Sequence, residues 1–314
     1  MSEDYRPYAL ETRKGFRAPF AKYLVRAAAY VVISLGSIEL NASDFGGEGV
    51  IRMPSARMMD DGTFAATVAS NQAFNIFNIS FQATPWFETT FRYTVFNPYG
   101  RDRSNDYLRD RSYEAKFRVF KEREVLPELS IGLRDVLGTG VWSSEYLVAT
   151  KSIKQFDVTL GYGWGRLGTD QELDNPLRIF SGEFSSRPTY SDGAGGVVGG
   201  EVRTKAFFRG PTSLFGGLTY QMSKLPVKVA LEYDSDSYGR EVSLGSLKKK
   251  SKVNWGLSWE PTRDLTVNFS RIADDHFSFG VRALLRAGEI RKSKQVAPDR
   301  ISGPPSRDSQ SWYA

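Results

Sequence analysis

Arg92, Lys116, Arg118 and Arg134 occupy the polar phase of segments in which every second residue is apolar, and Glu88 and Glu114 share that phase. Residues two apart on an extended chain point to one face, so these charges converge on a single surface. Glu145 and Arg166 are expected to join them, with Asp135 following Arg134 at the end of its segment. This set admits two kinds of chemistry. Opposite charges can pair with one another and hold an interior shut. Alternatively, the basic groups, with nearby Tyr and Trp, can hold an acidic or hydroxyl-rich glycan, because the planar guanidinium fork binds a carboxylate through two hydrogen bonds. The residue types alone do not choose.

Other chemistries find little support. The 314 residues contain no Cys and a single His, His276. That removes thiolate zinc sites, iron–sulfur clusters, disulfides, a cysteine nucleophile and multi-histidine metal sites, and no lipidated cysteine is expected. No cofactor or metal is expected at all. The run Gly163-Trp164-Gly165-Arg166-Leu167-Gly168 matches G-x-G-x-x-G, but a dinucleotide site also needs a helix to receive the pyrophosphate. The segment Thr169–Asn175 is short, acidic and stopped by Pro176, so small residues on a crowded face explain these glycines better. A glycosidase needs two carboxyl groups about 5–10 Å apart, and sequence singles out no such pair. His276 comes directly after Asp274 and Asp275 and reads as a turn residue. The expectation is a protein without catalysis. Formal charge is +6 but is not gathered on one face or arm, so nucleic acid is not an expected partner. Lys248, Lys249, Lys250 and Lys252 form the one charge run, which reads as a solvated loop tip.

The elements that position the charged set are strands. From Phe156 to Trp164 the residues Phe156, Val158, Leu160, Tyr162 and Trp164 fall on one face, and Asp157, Thr159, Gly161 and Gly163 on the other. The same period of two recurs over 87–95, 113–119, 129–134, 227–233, 252–259, 264–270 and 277–283, and more weakly over 64–70, 74–83, 142–150, 202–209 and 213–222. Pro- and Asp-containing connectors such as Thr84-Pro85 and Ala273-Asp274-Asp275 are turn-like. Longer polar connectors lie near 97–110, 166–201 and 235–250. At roughly 18–19 residues per strand and loop, the span 64–286 holds about 12 strands. It is an all-β antiparallel meander.

A soluble sandwich would bury the apolar face; a membrane barrel turns it toward lipid and lines a lumen with the polar face. Strands of about ten residues match a tilted bilayer crossing, and Trp86, Phe87, Trp142, Trp164 and Trp259 near strand ends read as an interfacial girdle. Closure also satisfies every strand edge, which an open meander in lipid could not do. Basic residues Arg13, Lys14, Arg17, Lys22 and Arg26 precede a short apolar run from Ala27 to Ile38, the pattern of an export signal and too short to span a bilayer. The expected architecture is an up-and-down transmembrane β-barrel. Its parts are a signal segment over 1–42, a lead-in segment over 43–63, the barrel over 64–286 and a disordered polar tail over 287–314.

Several stretches carry a resemblance. They are Gly49-Val50-Ile51-Arg52-Met53-Pro54-Ser55-Ala56-Arg57, Arg109-Asp110-Arg111-Ser112-Tyr113-Glu114, Ile131-Gly132-Leu133-Arg134-Asp135-Val136-Leu137-Gly138-Thr139-Gly140, Ser144-Glu145-Tyr146-Leu147 and Leu160-Gly161-Tyr162-Gly163-Trp164-Gly165. As a set these resemble the YjbH/GfcD-type family of outer-membrane exopolysaccharide (capsule) biosynthesis proteins, over the N-terminal barrel half of its longer members. The resemblance implies a bacterial outer-membrane barrel, encoded beside polysaccharide synthesis or export genes, with no established catalysis.

The functional expectation is a non-enzymatic barrel that assists exopolysaccharide or capsule secretion and assembly. Its glycan-binding or lumen charge network would be Arg92, Glu114, Lys116, Arg118, Arg134, Asp135, Glu145 and Arg166. Expected partners are outer-membrane lipid, exopolysaccharide or lipopolysaccharide, and other polysaccharide-export proteins. The rival readings are a general diffusion porin and a soluble periplasmic glycan-binding β protein or hydrolase.

Overall fold

A computed structural model describes residues 42–97, 109–171, 173–188, 202 and 204–287 of the protein. The export segment and the C-terminal tail expected from sequence lie outside the described residues, apart from Ala42 and Ala287. Twelve strands are described: β1 Thr63–Ser70, β2 Phe74–Thr84, β3 Phe87–Phe96, β4 Arg109–Phe120, β5 Glu128–Arg134, β6 Ser144–Ile153, β7 Phe156–Trp164, β8 Thr212–Gln221, β9 Val227–Tyr233, β10 Val253–Thr262, β11 Leu265–Ile272 and β12 His276–Arg286. Each pairs antiparallel with its neighbours in sequence, and β1 pairs with β12 from Thr63↔Arg286 to Ser70↔Phe279, closing the barrel. No strand edge is left open, which a lipid environment requires.

The wall is inverted relative to a soluble protein. Leu160 is 62% exposed and Phe156 39%, whereas Arg92 is 0% and Lys116 2% exposed. In β1 the pattern is strict: Phe64, Ala66 and Val68 face out while Thr63, Ala65 and Thr67 face in. Outward aromatic side chains pair across strands, as Phe64 stacks on Phe81 at 4.1 Å and Phe87 on Phe117 at 4.9 Å. A soluble sandwich would have the opposite polarity, so the chain is a transmembrane barrel.

The two ends differ. At one end the connections are short: Pro85 and Trp86, residues 121–127, Lys154 and Gln155, 222–226, and Arg263 and Asp264. Residue 63 and residue 286 also lie at this short-turn end. At the other end, beside two three-residue turns, lie the long connections 97–108, 135–143, 165–211 and 234–252. Pro261 sits where the β10–β11 register shifts, an irregularity that accommodates its missing N–H.

Three expectations need correction. The strand expected over 202–209 is a loop: Thr204–Ala206 forms a 3-10 turn, Phe208 has φ of 58°, and its N–H and C=O are taken by Glu145 and Asn175. Trp142 and Trp164 do not belong to an interfacial girdle. Trp142 is buried inside the barrel against Phe45, Phe74 and Phe96, and Trp164 lies under Phe208 of the β7–β8 loop. Of the run Lys248, Lys249, Lys250 and Lys252, all but Lys249 are exposed, and Lys249 is no solvated tip. Lys249 donates to Asp170 at 2.8 Å and to the Asp236 carbonyl at 2.7 Å, and Lys250 pairs with Asp275 at 2.9 Å. A short α-helix, α1 Gly239–Ser243, interrupts the β9–β10 loop that carries this run.

Candidate functional site

Inward-facing charges in a closed barrel cannot all reach water, so each needs a partner. Wall carboxylates supply some of these partners, as Glu114 and Glu128 do, and residues 42–59 supply others. The segment enters the lumen as a compact plug with bridges at Ala42↔Glu48 and Gly49↔Pro54, and its main-chain groups meet side chains from around the wall. Asn78 of β2 donates to the Asp44 carbonyl, Arg92 of β3 to Phe45, Ser130 of β5 to Ala56 and Asn268 of β11 to Ala42. On the acceptor side, Thr150 takes the N–H of Ala56, and Oε2 of Glu232 takes the N–H groups of Ile51, Arg52 and Met53 at 2.7, 2.8 and 2.8 Å. Ser278 donates to the Asp44 carboxylate, and Arg282 of β12 pairs with Glu48 at 2.8 Å. Met53 and Ala56 pack on Tyr146, Val148, Leu167 and Phe215. The segment thus touches wall side chains from β2 around to β12.

Glycines on the inner wall make room for this packing. A Cβ on Gly132 would lie 2.1 Å from the Tyr146 ring, and one on Gly161 2.1 Å from Phe215. Tyr146 thus lies over Gly132 on the neighbouring strand and delivers its hydroxyl to Glu114.

The expected site residues fall into three groups. Arg92, Glu114 and Arg134 form one buried unit. Nη2 of Arg92 is 2.7 Å from Oε2 of Glu114, Arg134 Nε lies 3.3 Å from the same oxygen, and the Tyr146 hydroxyl donates to Oε1 at 3.0 Å. Lys116 donates to the plug carbonyls of Arg57 and Glu48, 3.9 Å from Glu88. Arg118 lies at the short-turn end, donating to Glu128 at 2.5 Å and to the Pro85 carbonyl. There Arg57 gathers Glu122, Glu128 and Asp157 around one guanidinium.

Asp135 and Arg166 lie at the long-loop end. Asp135 accepts the N–H of Trp142 at 3.0 Å; burial, then the nearby Asp110, pushes its carboxyl up to about 7. Arg166 leaves the wall after β7 and stands between loops, donating to Asp236 at 2.5 Å and Glu241 at 2.7 Å. Burial alone would depress its guanidinium, but these carboxylates more than offset that and raise it. The ring of Trp142 lies 3.8 Å below it.

Glu145 is not in the lumen. Tyr146, its neighbour, reaches inward to Glu114, so Glu145 takes the opposite phase and faces outward with Leu133. It is nevertheless 1% exposed, because the β7–β8 loop folds over the outer rim and covers it. Arg187 binds both its oxygens at 2.8 Å and Phe208 donates its N–H at 2.8 Å. It staples a loop to the wall.

Sequence reasoning missed Arg52. Its guanidinium is buried at the centre of the plug, 4.8 Å from the ring centroids of Phe45, Phe74 and Tyr238 and 5.7 Å from Trp142. Both terminal nitrogens lack a hydrogen-bond partner, so the ring faces and the nearby Asp234 and Asp236 carry the compensation. Basic character within an otherwise small and apolar segment, Gly49-Val50-Ile51-Arg52-Met53-Pro54, is the signal that marked it.

Above the plug, at the long-loop end, lies an open basin of about 480 Å³. Arg166, Arg187 and Arg240 line it, with Ser143, Thr169, Asp236 and Ser237. Arg166 and Arg187 are already paired, whereas Arg240 is exposed and has no carboxylate partner among the described residues. Hydroxyls, backbone groups and the exposed Arg240, whose guanidinium lies 5.9 Å from the Phe96 ring, converge on a volume in the usual range for small-ligand sites. Among the described residues no cluster of His, Asp and Glu is arranged to hold a metal ion.

Comparison with known proteins gives these matches. The sequence model of the family described as "Exopolysaccharide biosynthesis protein YbjH" matches residues 41–313. A protein of Escherichia coli (strain K12) named as the lipoprotein YjbH is 36% identical over 256 residues, covering 80% of this chain and 36% of that protein. The chain therefore spans about a third of the length of that relative. Among solved structures, the KdgM porin is similar with a TM-score of 0.38 at 10% identity, covering 70% of this chain and 98% of that one. The Acinetobacter baumannii outer membrane protein Omp33 is similar with a TM-score of 0.34 at 10% identity, over 72% of this chain and 98% of that one.

Proposed function

The chain belongs to the YjbH exopolysaccharide biosynthesis family, and on that premise we propose that it is an outer-membrane barrel that assists secretion or surface assembly of an exopolysaccharide without passing it through its own lumen. The observation that carries this reading is the plug over residues 42–59, hydrogen-bonded to wall side chains from β2 around to β12. A segment seated inside the barrel and bonded to its wall suits a platform better than a diffusion pore. Short turns face the periplasm and long loops the cell exterior in barrels of this kind, which puts the arginine-lined basin on the outer surface. There an acidic or hydroxyl-rich glycan would meet Arg240, the Ser143 and Ser237 hydroxyls and loop carbonyls. The lumen residues Arg92, Glu114, Lys116 and Arg134 then serve by holding the plug. No catalytic step is part of this reading, and other export proteins would supply synthesis and translocation.

Planar-bilayer recording and glycan retention test it together. The purified barrel is expected to be electrically silent and to retain a uronate-containing oligosaccharide in preference to a neutral dextran of equal length. Arg240→Ala is expected to lower that retention about tenfold. Steady open channels in the unmodified protein would return the chain to the diffusion-porin reading.

A further inference from the structure

Charged side chains on the outward phase of the strands are few, and each but two has a counter-charge among the described residues. Glu145 on β6 is held by Arg187, Lys151 on β6 pairs with Glu122 at 2.9 Å, and Arg271 on β11 pairs with Asp274 at 2.8 Å. The two exceptions are Arg109 and Arg111, at the long-loop end of β4. Asp110, Ser112 and Glu114 between and beyond them point inward and are buried, so Arg109, Arg111 and Tyr113 point out. Both arginines are exposed and neither has a carboxylate partner among the described residues. Arg111 lies 6.0 Å from the ring of Tyr93, its cross-strand neighbour, and Arg109 pairs in register with Val95.

An uncompensated cation on a lipid-facing wall is costly at mid-bilayer, and the cost falls toward zero at the interface. Arg111 is two residues along the strand from Arg109, so the two guanidinium stems emerge about 7 Å apart along the barrel wall. They are flanked by Tyr93 and by Tyr113, which is 44% exposed, aromatic groups suited to the boundary between acyl chains and water, where such a pair of cations would be tolerated. Two guanidinium forks side by side fit phosphate oxygens better than any neutral headgroup.

We propose that Arg109 and Arg111 form a site on the outer wall for the phosphate of a phosphorylated membrane lipid in the leaflet at the long-loop end. The site is separate from the basin and does not depend on what the basin holds.

Native mass spectrometry of the detergent-solubilised full chain tests the assignment with lipid A as the probe. The unmodified protein is expected to retain bis-phosphorylated lipid A at least tenfold more than its dephosphorylated form. The double variant Arg109→Gln/Arg111→Gln is expected to lose that preference while keeping heat-modifiable gel mobility. Arg109→Lys/Arg111→Lys, which keeps both charges, is expected to keep most of it. Equal retention of the two lipid forms by the unmodified protein would overturn the site even if the Gln variant fails to fold. So would undiminished preference in a folded Gln variant, or full competition by millimolar inorganic phosphate, which would mark a free-anion site and not a lipid one.

Discussion

The carboxylate of Glu232, on β9, lies 2.8 Å from the main-chain nitrogen of Arg52, and the same oxygen receives the N–H groups on either side of it. One wall residue thus closes the turn that puts the Arg52 guanidinium among its aromatic rings. The other oxygen, Oε1, takes a hydrogen bond from Asn254 on β10 at 2.9 Å, which ties the plug to two adjacent strands.

Removing that carboxylate leaves three buried N–H groups without an acceptor. Leaving a buried donor without its acceptor costs about 1–3 kcal/mol for each group. Glu232→Ala is therefore expected to loosen the plug by several kcal/mol while the wall, held by its strand ladders, remains closed. Single-channel recording should show intermittent conductance absent from the unmodified protein. A silent Glu232→Ala barrel would mean the plug does not depend on this anchor.

Gly132→Ala probes the packing against Tyr146. A methyl group there would lie 2.1 Å from the ring, on a side chain fixed by its bond to Glu114, so about 1–3 kcal/mol of overpacking is expected. Thermal unfolding in detergent measures it. Tyr146→Leu in the same chain should relieve part of the clash, giving a double variant more stable than the sum of the single effects predicts.

The barrel and the inner charge unit were legible because β3, β4 and β5 alternate cleanly, so a phase error was impossible once Phe91 and Phe117 faced lipid. Arg92, Glu114 and Arg134 follow from that alternation alone. Strand β6 was not legible in the same way. Tyr146 and Val148 are apolar yet point inward, because the plug residues Met53 and Ala56 give them an apolar surface inside the lumen. Leu147 points out to lipid, so both faces of β6 are apolar and the period of two loses its meaning. For that reason the alternation puts Glu145 in the lumen, whereas it lies on the outer face. The plug itself has no strand or helix periodicity, and its main-chain hydrogen bonds go to residues up to 226 positions away, as from Asn268 to Ala42. Nothing local announces them. Trp142 and Trp164 sit near strand ends as interfacial residues do, and only the plug and inner wall around Trp142 and the long loop over Trp164 show that neither reaches the membrane boundary.

Glu145→Gln tests the staple on the outer rim. The amide keeps one acceptor for Phe208 but loses the paired bonds and charge that hold Arg187. About 2 kcal/mol of local stability is expected to go, opening the β7–β8 loop without unfolding the barrel. Limited proteolysis should cut the variant within residues 165–211 at least tenfold faster, and Trp164 fluorescence should shift as Phe208 leaves its face. Unchanged cleavage would show that Leu173↔Thr212 and Asn175 hold the loop without Glu145.

Asp135 gives a pH dependence whose sign runs opposite to ordinary acid denaturation. Burial, and then Asp110, raise its carboxyl from 3.8 to about 7 in the folded protein, so the folded chain binds this proton more tightly than the unfolded one. Its contribution is complete below about pH 4 and is lost as pH rises through about 7, with a slope approaching about 1 kcal/mol per pH unit between them. Carboxylates in strong ion pairs, such as Asp170 with Lys249 and Lys252, push the other way at lower pH. The diagnostic is therefore a difference. Asp135→Asn removes the proton but keeps an oxygen for the Trp142 N–H, so it should equal the unmodified protein at about pH 4 and exceed it in unfolding temperature by a margin that grows up to about pH 8. Parallel curves across that range would mean that Asp135 ionises freely at the mouth and that water, not protein, surrounds its carboxylate.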